Sequence, residues 1–254
     1  MYTNIRYVVL TAIRDRLFIG LFLGLIFAAF VSSIMGSTAL LEAEQMTLTF
    51  AAASVRAIIA VGLIVFACFH LRAAFQTKEI DVLLSRPISR TNLVISYWLG
   101  FALVATLLVI PTLAIIWVVG IIDQDGFWAW SLSLLLEGWL VVAISLFAGF
   151  TLSSAVSAVL LSLGFYILSR MIGFFTATAE NGVLFSDATL NNSFEWVIDV
   201  VSVLIPRLDF FAKSEWLIYG LKGPSDFYLF VIQGAVFIPL LMAATVIDFK
   251  RKEF

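Results

Sequence analysis

The chain is poor in almost everything from which a soluble domain or a metalloenzyme is built. Its 254 residues include one cysteine, Cys68, and one histidine, His70. That excludes a disulfide framework, a thiolate metal site and a histidine cluster. Charge is scarce too: 13% of residues are Asp, Glu, Lys or Arg, where a soluble domain carries about 25%. Fifteen basic and seventeen acidic residues leave a formal net charge of −2, which gives no electrostatic footprint for nucleic acid. What fills the chain is apolar, 62% hydrophobic residues with a mean hydropathy of +1.08. Too little polar surface exists to cover a globule or to keep a disordered chain solvated. The bilayer is the solvent that fits, and the expected fold class is an all-α integral membrane protein.

The few charges divide the chain into six spans, at about 17–35, 50–71, 93–119, 128–149, 154–175 and 227–247. The third is longer than a crossing needs and contains Pro111, so a tilt or a kink is expected there. The long stretch after Phe127 is divided near Gly149–Ser154, where Gly, Thr and Ser cluster. The first apolar run, nineteen residues, is long for a cleaved signal and is expected to remain as a span. An even number of spans puts both termini on one side. Arg6, Arg14 and Arg16, then Arg72, Lys78, Arg86 and Arg90, then Lys250, Arg251 and Lys252 all fall on that side, ten of the fifteen basic residues. Eleven of the seventeen acids fall in the opposite loops. The positive-inside rule therefore predicts cytoplasmic N and C termini.

Residues 1–16 read as an interfacial helix, with Ile5, Val8, Val9, Ala12 and Ile13 at helical spacing. The alternative is a basic flank that only sets topology. The loop 77–90 reads as a short amphipathic helix: Thr77 as cap, Glu79 and Asp81 in the first turn, Ile80, Leu83 and Leu84 on one face, and Pro87 as stop. Ser89 or Thr91 then caps the third span. The alternative is a plain loop whose apolar face rests on lipid.

The run Leu83-Leu84-Ser85-Arg86-Pro87-Ile88-Ser89-Arg90, preceded by acids and followed by a long span, resembles the first cytoplasmic loop of type 2 ATP-binding-cassette (ABC) exporter permeases. Within that family the chain looks most like the compact six-span permeases grouped with multi-copper-enzyme maturation and gliding systems. The likeness covers the whole chain by topology and about twenty residues by motif. Many members of that family carry a lysine where this chain has Tyr97 or Trp98.

The resemblance implies a permease subunit in a bacterial inner membrane. Residues 77–90, with Glu79, Ile80, Asp81, Leu83, Leu84, Arg86, Pro87 and Arg90, would be a coupling helix docked on an ABC ATPase subunit, two copies per transporter. A second permease copy, the same or related, would complete the path, with room for an accessory periplasmic protein. No Gly-x-x-x-x-Gly-Lys-Ser/Thr motif occurs in the chain. ATP and Mg would therefore be bound by the partner ATPase, and no cofactor by this chain.

The external stretch 176–226 is read as two short helices. One is capped by Ser193 and stopped by Pro206, with Glu195, Asp199 and Ser202 as a polar stripe. The other runs from Ser214 to Gly223-Pro224. Such helices lie at the outer interface or dip into it, and in the family they help form an external gate at Glu195 and Asp199. Three charges fall inside spans: Arg56, Glu137 and Arg170. An unpaired charge at the bilayer centre costs about 2.5–3.5 kcal/mol, so Glu137 is expected to pair with Arg56 or Arg170, as a gate or as helix glue. Gly20-x-x-x-Gly24 and the small face Ser153, Ser154 and Ser157 are candidates for a dimer seam. Cys68 reads as an apolar filler, and His70 as an interfacial or packed side chain.

The sequence also admits a secondary transporter or channel and a non-transporting assembly subunit. A membrane hydrolase is disfavoured, because no His-Glu-x-x-His and no paired intramembrane aspartates occur. The sparsity of intramembrane charge points toward an amphipathic or lipid-like cargo rather than a small ion.

Overall fold

The computed structural model describes residues 2–38, 42–85, 89–120, 122–180 and 188–252, with side chains omitted at 2–4, 84, 180 and 188–195. Ten α-helices follow one another among these residues. They are α1 (Tyr2–Arg14), α2 (Arg16–Ser37), α3 (Ala43–Gln76), α4 (Glu79–Leu84), α5 (Arg90–Val119), α6 (Gln124–Thr151), α7 (Ala155–Glu180), α8 (Ala188–Leu204), α9 (Glu215–Tyr219) and α10 (Pro224–Arg251). A 3-10 turn, Leu208–Phe210, precedes α9. Helices α2, α3, α5, α6, α7 and α10 are long and apolar enough to cross a membrane, and the chain is a multi-pass membrane protein on that ground.

Helix α6 is the most buried span and α2 the least. Around α6 stand α3, α5, α7 and α10. Inside lipid every backbone group must be paired within the helix, so the apolar runs fold as helices without needing an amphipathic period. The helices outlast the runs that identify them. Helix α3 has 34 residues and, at 1.5 Å per residue, a length of about 51 Å, well beyond a hydrocarbon core of about 30 Å. Pro111 lies within α5, which runs unbroken from Arg90 to Val119.

Three local expectations need correction. Thr77 does not cap α4. Its hydroxyl donates back to the Ala73 carbonyl (2.9 Å) and closes α3, so α4 starts from Lys78, left-handed at φ 58°, without a side-chain cap. Helix α8 starts at Ala188, so Ser193 falls inside it rather than at its cap. Pro224 opens α10 instead of ending α9, which already stops at Gly220 with φ +70°. Other expectations hold. Ser89 caps α5 by accepting from the Asn92 amide (3.2 Å), α6 ends at Thr151, and α7 begins at Ala155.

Helix α1 packs its Val8–Ala12 face on α5 within the same chain. A Cβ on Gly100 would lie 2.8 Å from the Val8 Cβ, so the two helices approach closely there. Asp15 breaks α1 from α2 and accepts from the Leu17 amide (2.9 Å) as the α2 N-cap.

Candidate functional site

Two clusters of charge are built into the bundle, one at each end. At the end that carries the acidic loops, residues 205–223 fold down onto the spans as a strap. Arg56 of α3 donates to the Ala212 carbonyl (2.7 Å). Arg170 of α7 donates to the Phe211 carbonyl (2.9 Å) and to the Leu208 carbonyl. The Ala212 amide donates to the Ser133 hydroxyl of α6 (2.9 Å). Ala212 itself has φ 44°, a left-handed conformation unfavourable for a residue with a Cβ. Bonds to both its amide and its carbonyl hold it there.

Glu137 stands close to the middle of α6, at 2% exposure, under this strap. Its Oε1 accepts from the Tyr166 hydroxyl (2.9 Å) and lies 3.8 Å from an Arg170 Nη1. Of the two arginines expected as partners, Arg170 forms the ion pair and Arg56 turns to the strap. Tyr166 was not anticipated. The signal was legible, because Ser162, Tyr166, Ser169 and Arg170 share one face of α7 and that face is turned inward.

The strap is packed as closely as it is bonded. A Cβ on Gly126 of α6 would sit 1.7 Å from the Trp216 carbonyl oxygen, so only glycine admits α9 at that distance. Trp216 and Leu217 are fully buried, and the Asp123 amide donates to the Leu217 carbonyl (3.0 Å). Outside the strap, Asp199 of α8 is exposed. Glu195 lies on the same helix, and its side chain is outside the described residues. Helix α8 packs chiefly on α7 and exposes Trp196, Val203 and Leu204.

At the opposite end, basic side chains bind the C-terminal carbonyls of two spans, where the helix dipole attracts cations. Arg90 donates to the carbonyls of Phe249 (2.9 Å), Lys250 (3.3 Å) and Lys252 (2.6 Å) at the end of α10. Lys252 donates to the carbonyls of Thr151 (2.9 Å) and Phe150 at the end of α6. Arg72 donates to the Leu152 carbonyl (3.1 Å).

Helix α4 packs against α3 at this end. Ile80 is fully buried, Leu83 packs on the core, and Glu79 accepts from the Tyr7 hydroxyl of α1 (3.3 Å). Burial pushes the Glu79 carboxyl above its ordinary range. The outward side carries Lys78, Asp81, Val82 and Ser85. Leu84 belongs to α4, with its side chain outside the described residues, and Arg86 and Pro87 lie outside them altogether.

The remaining candidates are dispersed. Gly24 packs against Ile58 of the same chain, 3.7 Å from its would-be Cβ, whereas Gly20 has nothing within 4 Å. Ser154 and Ser157 are exposed at the start of α7. His70 packs between Phe66 and Phe101, with ring centroids 5.5 and 5.4 Å away. Cys68 is buried beside Ser162. No group of three or more His, Cys, Asp or Glu able to hold a metal occurs among the described residues. Compared with known proteins, the chain matches no family model and none of the curated proteins.

Proposed function

We propose that this chain is the permease half-unit of an ATP-driven exporter, energised by a separate ABC ATPase that binds ATP and Mg. The observation that carries this reading is the mounting of α4. A six-residue helix between two spans buries Ile80 and turns Asp81 and Val82 outward. Arg90, at the start of the following span, grips the end of α10, and Lys252 grips the end of α6. A push on the outward face of α4 therefore moves several spans together, and α6 carries the displacement toward Glu137 and the strap. In this reading Lys78, Asp81 and Val82 meet the ATPase, joined by Arg86 and Pro87. Ile80, Leu83 and Arg90 transmit the push within the chain.

Two copies, identical or related, form the path in a bacterial inner membrane with both termini cytoplasmic. They meet through the start of α7, at Ser154 and Ser157. The strap and α8, with Glu195 and Asp199, close the outer end of the path. The cargo is amphipathic or lipid-like, and it must bind the two states with different affinity for ATP to drive transport. Cross-linking tests the docking surface: Val82→Cys should form an adduct with an ATPase in native membranes, and Cys at an α8 position should not.

A second reading draws on Glu137. A buried acid near mid-span, bonded to a tyrosine and an arginine, is the kind of group on which proton-coupled secondary transporters rely. Transport that continues without nucleotide and stops with Glu137→Gln would favour it.

A further inference from the structure

Between α2 and α3, at the end that carries Arg16, the surface holds an apolar groove of about 530 Å³. Its origin is local. Leu21 sinks into α3, where its Cδ2 lies 2.1 Å from the place a Cβ on Gly62 would occupy. Beside it, Gly20 leaves α2 without a side chain and with nothing within 4 Å. The walls are apolar, and Leu17 and Val61, both more than 40% exposed, open the groove sideways toward lipid.

Arg16 is the one charged residue in its lining. Arg14, two residues earlier at the α1–α2 elbow, is also exposed, and among the described residues neither arginine has an ion-pair partner. Asp15, between them, is engaged as the α2 cap.

We infer that this groove is a site for an anionic phospholipid, with its phosphate on Arg16 and Arg14 and an acyl chain lying beside Gly20. The charge decides between occupants. A second copy related by a two-fold axis along the membrane normal would bring its own Arg16 to the same depth and set like charges together. An anionic headgroup neutralises them, and basic residues near the surface each favour such lipids by roughly fivefold in affinity. A notch one residue wide also suits a chain of methylenes better than the ridge of a helix. The site does not require an ATPase partner.

Native mass spectrometry of the full chain in mild detergent tests it, with dioleoyl phosphatidylglycerol and dioleoyl phosphatidylcholine as probes. The wild type should retain at least one phosphatidylglycerol through activation that strips phosphatidylcholine. Arg16→Gln should lower that retention about fivefold. Gly20→Phe, which fills open space and leaves the fold intact, should lower retention of both lipids. Equal retention of the two lipids by the wild type would overturn the inference, as would wild-type retention in both variants. High-yield disulfide dimers of Gly20→Cys in native membranes would assign the groove to a second copy instead.

Discussion

The ion pair under the strap permits a quantitative test. Exchange Glu137 for Gln and Arg170 for Met, singly and together, and measure reversible unfolding in detergent or bicelles through the fluorescence of buried Trp130 and Trp216. The charged atoms are 3.8 Å apart. At an effective dielectric of about 20, unit charges at that distance attract by about 4 kcal/mol before desolvation is subtracted. Removing one partner of a buried pair typically costs about 3–5 kcal/mol. Arg170→Met should cost that much, because it also releases the Leu208 and Phe211 carbonyls. Glu137→Gln should cost less, about 1.5–3 kcal/mol, since an amide oxygen still accepts from Tyr166. The double variant should lose less than the sum, by about 1–3 kcal/mol. Additivity within about 0.5 kcal/mol would show that the two charges do not act as a pair.

Gly126→Ala drives a Cβ into the backbone of Trp216, which cannot rotate away, and should destabilise by about 1–3 kcal/mol or more. Gly164→Ala, with nothing within 4 Å, should be neutral or slightly stabilising; equal thermal midpoints for the two variants would refute the packing argument. Arg90→Gln should fray the end of α10, raising amide hydrogen exchange over residues 246–252 about tenfold for each 1.4 kcal/mol of lost capping. Unchanged exchange there would rule out the clamp. The Glu79 carboxyl is held above its ordinary value of 4.5, so the native state takes up its proton before the unfolded chain does. Wild-type stability should therefore fall relative to Glu79→Gln as pH rises from about 4.5 through the native value, and parallel stability–pH curves would contradict this.

The six spans were legible because lipid imposes one rule, internal pairing of every backbone group, and long uncharged runs satisfy it in one way. Their ends were less so. An apolar window records where lipid begins, whereas α3 continues at both ends on residues such as Glu44, Thr47 and Gln76. Helix α8 was misplaced at its start because Ser193 is a good cap residue in general, yet the helix had already begun at Ala188. The strap was hardest to foresee. Its shape depends on carbonyls bound by Arg56 and Arg170 and on a gap at Gly126, contacts between residues 38 to 156 positions apart. Intramembrane charge was sound as a signal of pairing, and the stripe from Ser162 to Arg170 on α7 would have added Tyr166 to it. The short helix expected within 77–90 occurs as Glu79–Leu84, but amphipathicity alone does not say that its apolar side faces the chain itself. Ile80 and Leu83 are inward, and the side left outward is Asp81 and Val82.

The most direct test of the central claim is to purify the tagged chain from its native membranes in mild detergent and measure bound ATPase. Under the proposed function, an ABC ATPase with a Walker A motif should co-elute at about one copy per chain. Val82→Glu should release it while the chain stays folded, with an unchanged thermal midpoint. A folded wild-type chain that moves its cargo in liposomes with no nucleotide-hydrolysing partner bound would contradict the account.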